Sequence, residues 1–404
     1  MQQSNIAGDE AFWLARRAEM DLDPESANFN TGTLSPTPRP VLEAVTRLRQ
    51  QQSSAPSDFC WRQLPKLINA SRAALAAYLN CRAFDLLLLP NVTFAINLAA
   101  WSLELPPGSE ILTTDHEYGA MVFLWKRIAK ERDLRYLELT LPYRTDDPSE
   151  IIRAFERAIS LDTRVLFISH CTCTTGLVLP VREIVELARA RGILTVIDGA
   201  HAVGTVPVDL EEINADFYAA NCHKWLMAPA GAGFLHAAST HKPMMKPLIT
   251  SWGYDYDRSA PDQDSNWGGS FWQRDLEFHG TVDRCAQMVL PEALAFRKKL
   301  GGDEAIRSRS RTLVEYCRAR MIDAGLTPAI SSDPRLCAAL VAFDFQTDDL
   351  IRTRDQFWFE HHIECPVTEA AGRRFLRVSC AWFNTTGDLD RLATALKTVR
   401  GASL

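Results

Sequence analysis

The sequence predicts an α/β fold, with a mostly parallel sheet in a large domain at residues 30–287 and a small α/β domain built from residues 1–29 and 288–404. Three observations predict it. Short, continuously apolar runs alternate with longer amphipathic stretches over the first two thirds of the chain, the pattern of parallel strands covered by helices on both faces. After about residue 285 the alternation gives way to two long helical stretches followed by separate strands. A chain of 404 residues is also longer than one small core accommodates, so two packed units are expected.

The elements follow in order. Residues 41–52 and 64–79 read as helices, FDLLLLP (84–90) as a buried strand and 93–103 as the helix after it. EILTT (110–114) is a strand, 121–133 a helix and RYLELT (135–140) a strand. A helix near 148–160, strand TRVLFIS (163–169), helix 181–191 and strand ILTVI (193–197) come next, then strands DFYAA (216–220) and AGFLH (232–236). The polar, glycine-bearing and aromatic stretch 251–272 reads as a long loop, and a loop of that length in a compact domain is usually either functional or disordered. Helices at 289–300 and 303–323 and two or three strands complete the chain.

Composition narrows the function. Hydrophobic residues make up 47% and charged residues 23%, which excludes a disordered, collagen-like or coiled-coil chain. With 44 basic against 50 acidic side chains the net charge is −6, so no nucleic-acid partner is expected, because binding phosphates needs a basic surplus. Ten cysteines in 404 residues are too sparse for a disulfide scaffold. The apolar runs fall far short of the ~20 residues of a membrane span, and the first 23 residues lack an apolar signal core; no membrane partner and a cytoplasmic location are expected.

In an open α/β sheet ligands sit at the carboxyl ends of the strands. Three such ends carry polar or reactive groups: Asp198-Gly199-Ala200-His201, Asn221-Cys222-His223-Lys224 and Pro90-Asn91-Val92-Thr93. A lone Asp after a strand is usually a turn or cap, and a lone Lys there is usually solvated. Together, an acid, a lysine and a hydroxyl at a helix amino terminus match what pyridoxal 5′-phosphate (PLP) requires: an amine for its aldehyde, a carboxylate for its pyridine nitrogen and an anion cradle for its phosphate. His170-Cys171-Thr172-Cys173 and Cys222-His223 lack the paired spacing of a zinc site, and no metal is expected.

These motifs resemble the class V aminotransferase family of fold type I PLP enzymes, and most closely its isopenicillin-N-epimerase-like branch. The resemblance is carried in order by NFNTGTLSPTPRPV (28–41), TTDHEYGAM (113–121), DGAHAVG (198–204), HKWLMAPAGAGFL (223–235), HGTVD (279–283), IECPV (363–367) and LRVSCAWFNT (376–385). It implies that Lys224 is the Schiff-base lysine and base, that Asp198 pairs with the pyridine nitrogen and that His201 bonds the phenolic oxygen. It further implies that Tyr118 stacks on the ring, and that Val92 (by its N–H), Thr93, Asn221 and His223 hold the phosphate; an inverting reaction would also need a second acid, for which Tyr118 or a neighbour is the candidate. Thr281 would reach the phosphate of a neighbouring subunit in a homodimer. Arg377 would clamp the substrate α-carboxylate, a task that suits a planar guanidinium, with Asn30 on the substrate side.

The implied chemistry acts at Cα of a small-molecule amino-acid substrate through a Schiff base and a quinonoid. The segment between Cys365 and Arg377, PVTEAAGRRFL, carries no cysteine, which disfavours desulfurase chemistry. Cys173 stands where relatives usually place Asn or Ser near the cofactor oxygen, and a thiol is the poorer hydrogen-bonding group. The expected activity is C–S lyase action on a cysteine S-conjugate in specialised, antibiotic-type metabolism, because elimination needs one base only. The second expectation is an amino-acid epimerase like the branch namesake, or a transaminating or decarboxylating variant.

Overall fold

Strands form where the apolar runs lie, and their order follows from how each run is connected to the next. In the computed structural model, which describes residues 7–255, 259 and 268–401, a short β1 (Ala27–Asn28) precedes a seven-stranded sheet. That sheet comprises β2 (Leu86–Leu89), β3 (Glu110–Thr114), β4 (Arg135–Leu139), β5 (Thr163–Ser169), β6 (Leu194–Asp198), β7 (Phe217–Asn221) and β8 (Gly233–Ala237). Their spatial order is β2-β8-β7-β6-β5-β3-β4. From β7 to β4 the neighbours pair in parallel, whereas β8 runs antiparallel to both β2 and β7. The reason is the connection: parallel neighbours need a crossover helix, but residues 222–232 turn straight back from β7 into β8. That return carries Lys224.

The helix Val92–Ser102 is apolar nearly all round and is buried against β7, β8 and β6. Asn91 caps it, accepting from the Phe94 N–H at 2.9 Å, so the amino terminus is fixed at the carboxyl end of β2. A buried charge cluster braces the same strand. Both carboxylate oxygens of Glu277 accept from Arg72 at 2.9 Å, while Oε1 also takes the Leu88 N–H at 2.8 Å and Oε2 the Arg284 guanidinium at 2.8 Å.

A second, antiparallel sheet follows, made of β9 (Thr327–Pro328), β10 (Leu340–Asp344), β12 (Val367–Ala370) and β13 (Arg373–Ser379), in the order β12-β13-β10-β9. Between β10 and β12 the two residues of β11 (Ile363–Glu364) pair in parallel with β1, which ties residues 27–28 to the carboxy-terminal part. Ala371 and Gly372 join β12 to β13 with φ of 50° and 68°, the positive values that a two-residue hairpin loop demands.

Three expectations shift. The strand expected at 84–90 is shorter, because residues 83–85 form a 3-10 turn in which Asp85 accepts from Ser239 Oγ at 3.0 Å and pairs with Lys242. Asp198 and Asn221 are the last residues of β6 and β7 rather than the first beyond them. The loop expected at 251–272 ends sooner: Phe271–Glu277 is a helix, and Ser270 and Gln273 cap each other reciprocally at its start. That signature, Ser-x-x-Gln, was present in the sequence. Residues 256–258 and 260–267 of the stretch lie outside the described residues.

Candidate active site

The carboxyl ends of β2, β5, β6 and β7 open into a cavity of about 550 Å³ that is closed on one side by β12 and β13. Lys224, Asp198, His201, Tyr118, Val92, Thr93, Asn221, His223, Cys173 and Arg377 all line it. Lys224 Nζ stands 3.1 Å from His201 Nε2. Burial pushes the lysine down to about 8, against the opposing pull of Asp198, so a sizeable neutral fraction exists near neutral pH. His201 lies well below its ordinary value for the same reason, reinforced by the Lys224 and Arg377 cations, and is a neutral imidazole. Asp198 is pushed up by burial, while the Ala200 N–H on Oδ1 (2.9 Å) and the Lys224 charge oppose the rise. The turn that presents these groups requires Gly199, since a Cβ there would meet the Tyr218 ring at 2.3 Å.

Arg377 enters from β13. Its Nη1 donates to the Cys173 carbonyl at 2.8 Å and its Nη2 to Asn30 Oδ1 at 2.6 Å, while the buried Nε finds no acceptor among the described residues. Asn30 does not line the cavity; it holds the guanidinium from behind and is itself fixed through its amide on Glu364 at 2.9 Å. Between the two halves lies Gly32, where a Cβ would come within 3.0 Å of His201 Cε1 and 3.2 Å of Arg377 Nη2. The missing side chain keeps this part of the cavity open.

One expectation changes here. The Val92 N–H does not face a phosphate freely: it donates to Asn221 Oδ1 at 2.8 Å. Burial leaves no backbone donor idle, and the neighbouring strand end supplies the acceptor. Val92 therefore fixes the turn, and Asn221 retains its amide N–H groups for an anion. Thr281, expected to serve a neighbouring subunit's site, lies away from this cavity and lines another, largely apolar one of about 520 Å³ with Trp61, Trp252 and Phe278. Of the aromatic stretch, Trp252 belongs to that second cavity and Trp272 packs under the Lys242 ammonium, while Tyr256 and Trp267 lie outside the described residues. Cys173 contributes its carbonyl to Arg377, and burial pushes its thiol up to about 11, leaving it un-ionised.

One residue escaped sequence reasoning. Glu117, next to Tyr118, is buried, lines the cavity and accepts from Thr114 Oγ1 and Ser169 Oγ, each at 2.6 Å. Its place within TTDHEYGAM was the only signal, and nothing local says that a glutamate there is buried.

The donor set fits PLP. The cavity brings together an amine, a buried carboxylate and the amino terminus of an eleven-residue helix bearing the Thr93 hydroxyl. The buried His201 Nδ1 finds no partner among the described residues, and Gly32 leaves space against that ring. His223 adds an imidazole whose Nδ1 lies 3.2 Å from the Ala232 carbonyl.

Comparisons with known proteins agree. The model of the aminotransferase class-V family matches residues 27–392. An isopenicillin N epimerase from Amycolatopsis lactamdurans is 39% identical, covering 95% of this chain and 98% of its own. One from Streptomyces clavuligerus is also 39% identical, over 97% and 99%. The hercynylcysteine sulfoxide lyase of Schizosaccharomyces pombe is 22% identical over 98% and 99%, and relatives named for cysteine desulfhydrase match at 24–28%. Among solved structures, a cystine C–S lyase superposes with a TM-score of 0.81 at 23% identity, covering 92% of this chain and 97% of that one, and shares the fold. These matches reverse the order of the two expected activities, since the epimerases are far more similar than the desulfhydrases and sulfoxide lyase. On the strength of the family match and this donor set, the chain belongs to the class V aminotransferases and is a PLP-dependent enzyme.

Proposed function

We propose that the protein is an amino-acid epimerase that inverts Cα of a unit bearing a free α-amine and α-carboxylate, in a substrate of the isopenicillin N kind. The observation that carries this reading is the 39% identity, over nearly their whole length, to enzymes named for that reaction. The cavity supports it, because inversion needs two groups able to move a proton at Cα, and both Lys224 and Tyr118 line it.

Arg377 binds the carboxylate with the outward N–H groups of its fork, since Cys173 and Asn30 hold the guanidinium from the protein side. Lys224, with its lowered proton affinity, removes the Cα proton on its own side, and Tyr118 returns one from the other. Asp198, His201, Thr93, Asn221 and His223 hold the cofactor, which when bound supplies an electron sink for the pair left at Cα. The working form is a cytoplasmic homodimer in which Thr281 serves the partner's site. An apolar cavity around Thr281, with Trp252 71% exposed beside it, supports that part of the reading. A division of the chain near residue 287 goes with it, supported by the pairing of β1 with β11.

The test is to incubate amino acids and isopenicillin-N-type peptides with the holoenzyme in D₂O, following chirality, deuterium at Cα and released fragments. Inverted product without any fragment is expected. Tyr118→Phe should lose about 100- to 10,000-fold of inversion, the usual contribution of a general acid, while deuterium exchange through Lys224 persists. Pyruvate with a released sulfur fragment, unaffected in Tyr118→Phe, would sink the proposal in favour of a lyase.

A further inference from the structure

We infer that Glu117 is a positioning residue that acts through Asp198: it is a second carboxyl group at that end of the cavity, whose proton sets the charge under which Asp198 meets the cofactor's ring nitrogen. The inference rests on the cofactor assignment and not on which reaction follows.

The geometry is that of two carboxyl groups, one past β3 and one at the end of β6, with the end of β5 between them. β6 ends in Asp198, whose partner in register on β5 is Ser169. Ser169 Oγ reaches back to Glu117 Oε2 at 2.6 Å, and Thr114 Oγ1, the end of β3, reaches Oε1 at 2.6 Å. Ser169 thus stands between the two acids, and Glu117, Ser169 and Asp198 all line the cavity. Two carboxylates that share a desolvated region do not readily both ionise, so one of them keeps a proton. Their surroundings decide which. Asp198 has a backbone N–H on Oδ1 and the Lys224 ammonium acting on it, both of which favour its charged form. Glu117 has two hydroxyls, which can donate to a carboxylate or accept from a carboxylic acid, and the Ser169 backbone, but the charge acting on it is that of Asp198, which favours its protonated form.

The ionisable groups that face Glu117 are Asp198 at the end of β6, Cys173 past β5 and Tyr136 on β4. The cysteine and the tyrosine are both pushed up by burial and are neutral at physiological pH, which leaves Asp198 as the charge that Glu117 answers to. Burial, with a smaller push from Asp198, raises Glu117 to about 7. The proton is therefore exchanged within the working range of pH: below it Asp198 alone of this pair is charged, and above it both are.

The test reads the bound cofactor rather than turnover. Visible absorbance of the holoenzyme is recorded from pH 5.5 to 9 for the wild type, Glu117→Gln and Ser169→Ala. A one-proton step near pH 7 is expected in the wild type and should be absent in Glu117→Gln, which keeps the shape of the side chain but cannot ionise. In Ser169→Ala the step should move to higher pH, because a hydroxyl that favours the carboxylate has gone. That second variant decides the matter if Glu117→Gln does not fold. A step that persists unchanged in Glu117→Gln, or does not move in Ser169→Ala, overturns the inference, as does a wild type with no step.

Discussion

Replacing Arg377 by alanine separates the grip on the substrate from the grip on the cofactor, and the structure fixes both magnitudes. The guanidinium is buried, with one arm on the Cys173 carbonyl and the other on Asn30 Oδ1, so its orientation is set before any substrate arrives. A carboxylate received by such a fork gains two charge-assisted hydrogen bonds, and losing them should cost about 2–4 kcal/mol, or roughly 30- to 1000-fold in affinity. The cofactor-binding groups Lys224, Asp198 and Thr93 make no hydrogen bond to Arg377, so PLP affinity should change by less than about threefold, ~0.6 kcal/mol. A second consequence follows from charge. The Arg377 cation is one of the causes that hold the Lys224 amine low, so its removal should let that amine keep its proton to higher pH. The assay is a titration of holoenzyme with amino-acid substrate, followed by the cofactor's absorbance, alongside a PLP titration of apoenzyme across pH. Unchanged affinity for a substrate with a free α-carboxylate would refute the argument and move the clamp elsewhere. Equal losses for substrate and cofactor would mean that the substitution had collapsed the cavity.

Apoenzyme should capture PLP faster as pH rises towards 8 and level off above it, because the neutral amine of Lys224 is the reactive form and burial lowers its proton affinity to about that point. Lys224→Ala should abolish the visible band that capture produces, and a pH-independent rate or a surviving band would exclude this lysine. Glu277→Gln leaves two buried guanidinium groups, Arg72 and Arg284, with no counter-charge, and should cost about 3–5 kcal/mol, seen as a lower thermal midpoint for the apoenzyme. A midpoint within a degree of wild type would show that water or a rearranged partner compensates the charge. Light scattering of the holoenzyme should give twice the chain mass; an active monomer would remove Thr281 from the site.

Local pattern was enough for much of this protein. Continuous apolar runs such as LLLL at 86–89 are buried wherever they occur, so strand order along the chain and the alternation with helices were legible. The strand-end placement of Asp198 and Lys224 was legible too, because a carboxylate and an amine that each follow a buried strand converge on the same edge of a parallel sheet. What the sequence did not contain is any relation between residues far apart. Asn30 and Arg377 stand 347 positions apart and Cys173 and Arg377 204, and only packing makes one hold another. Asn221 takes the N–H of Val92 because two strand ends lie side by side, which no spacing announces. Ionisation was equally hidden: Glu117 in TTDHEYGAM looks like any solvated acid, and it is loss of water on folding that raises its proton affinity, as the same loss lowers that of Lys224. Sequence determined which groups meet at the strand ends; tertiary structure decided which of them are already spoken for and which carry a charge, because hydrogen-bond partners and dielectric surroundings exist only once the chain has packed.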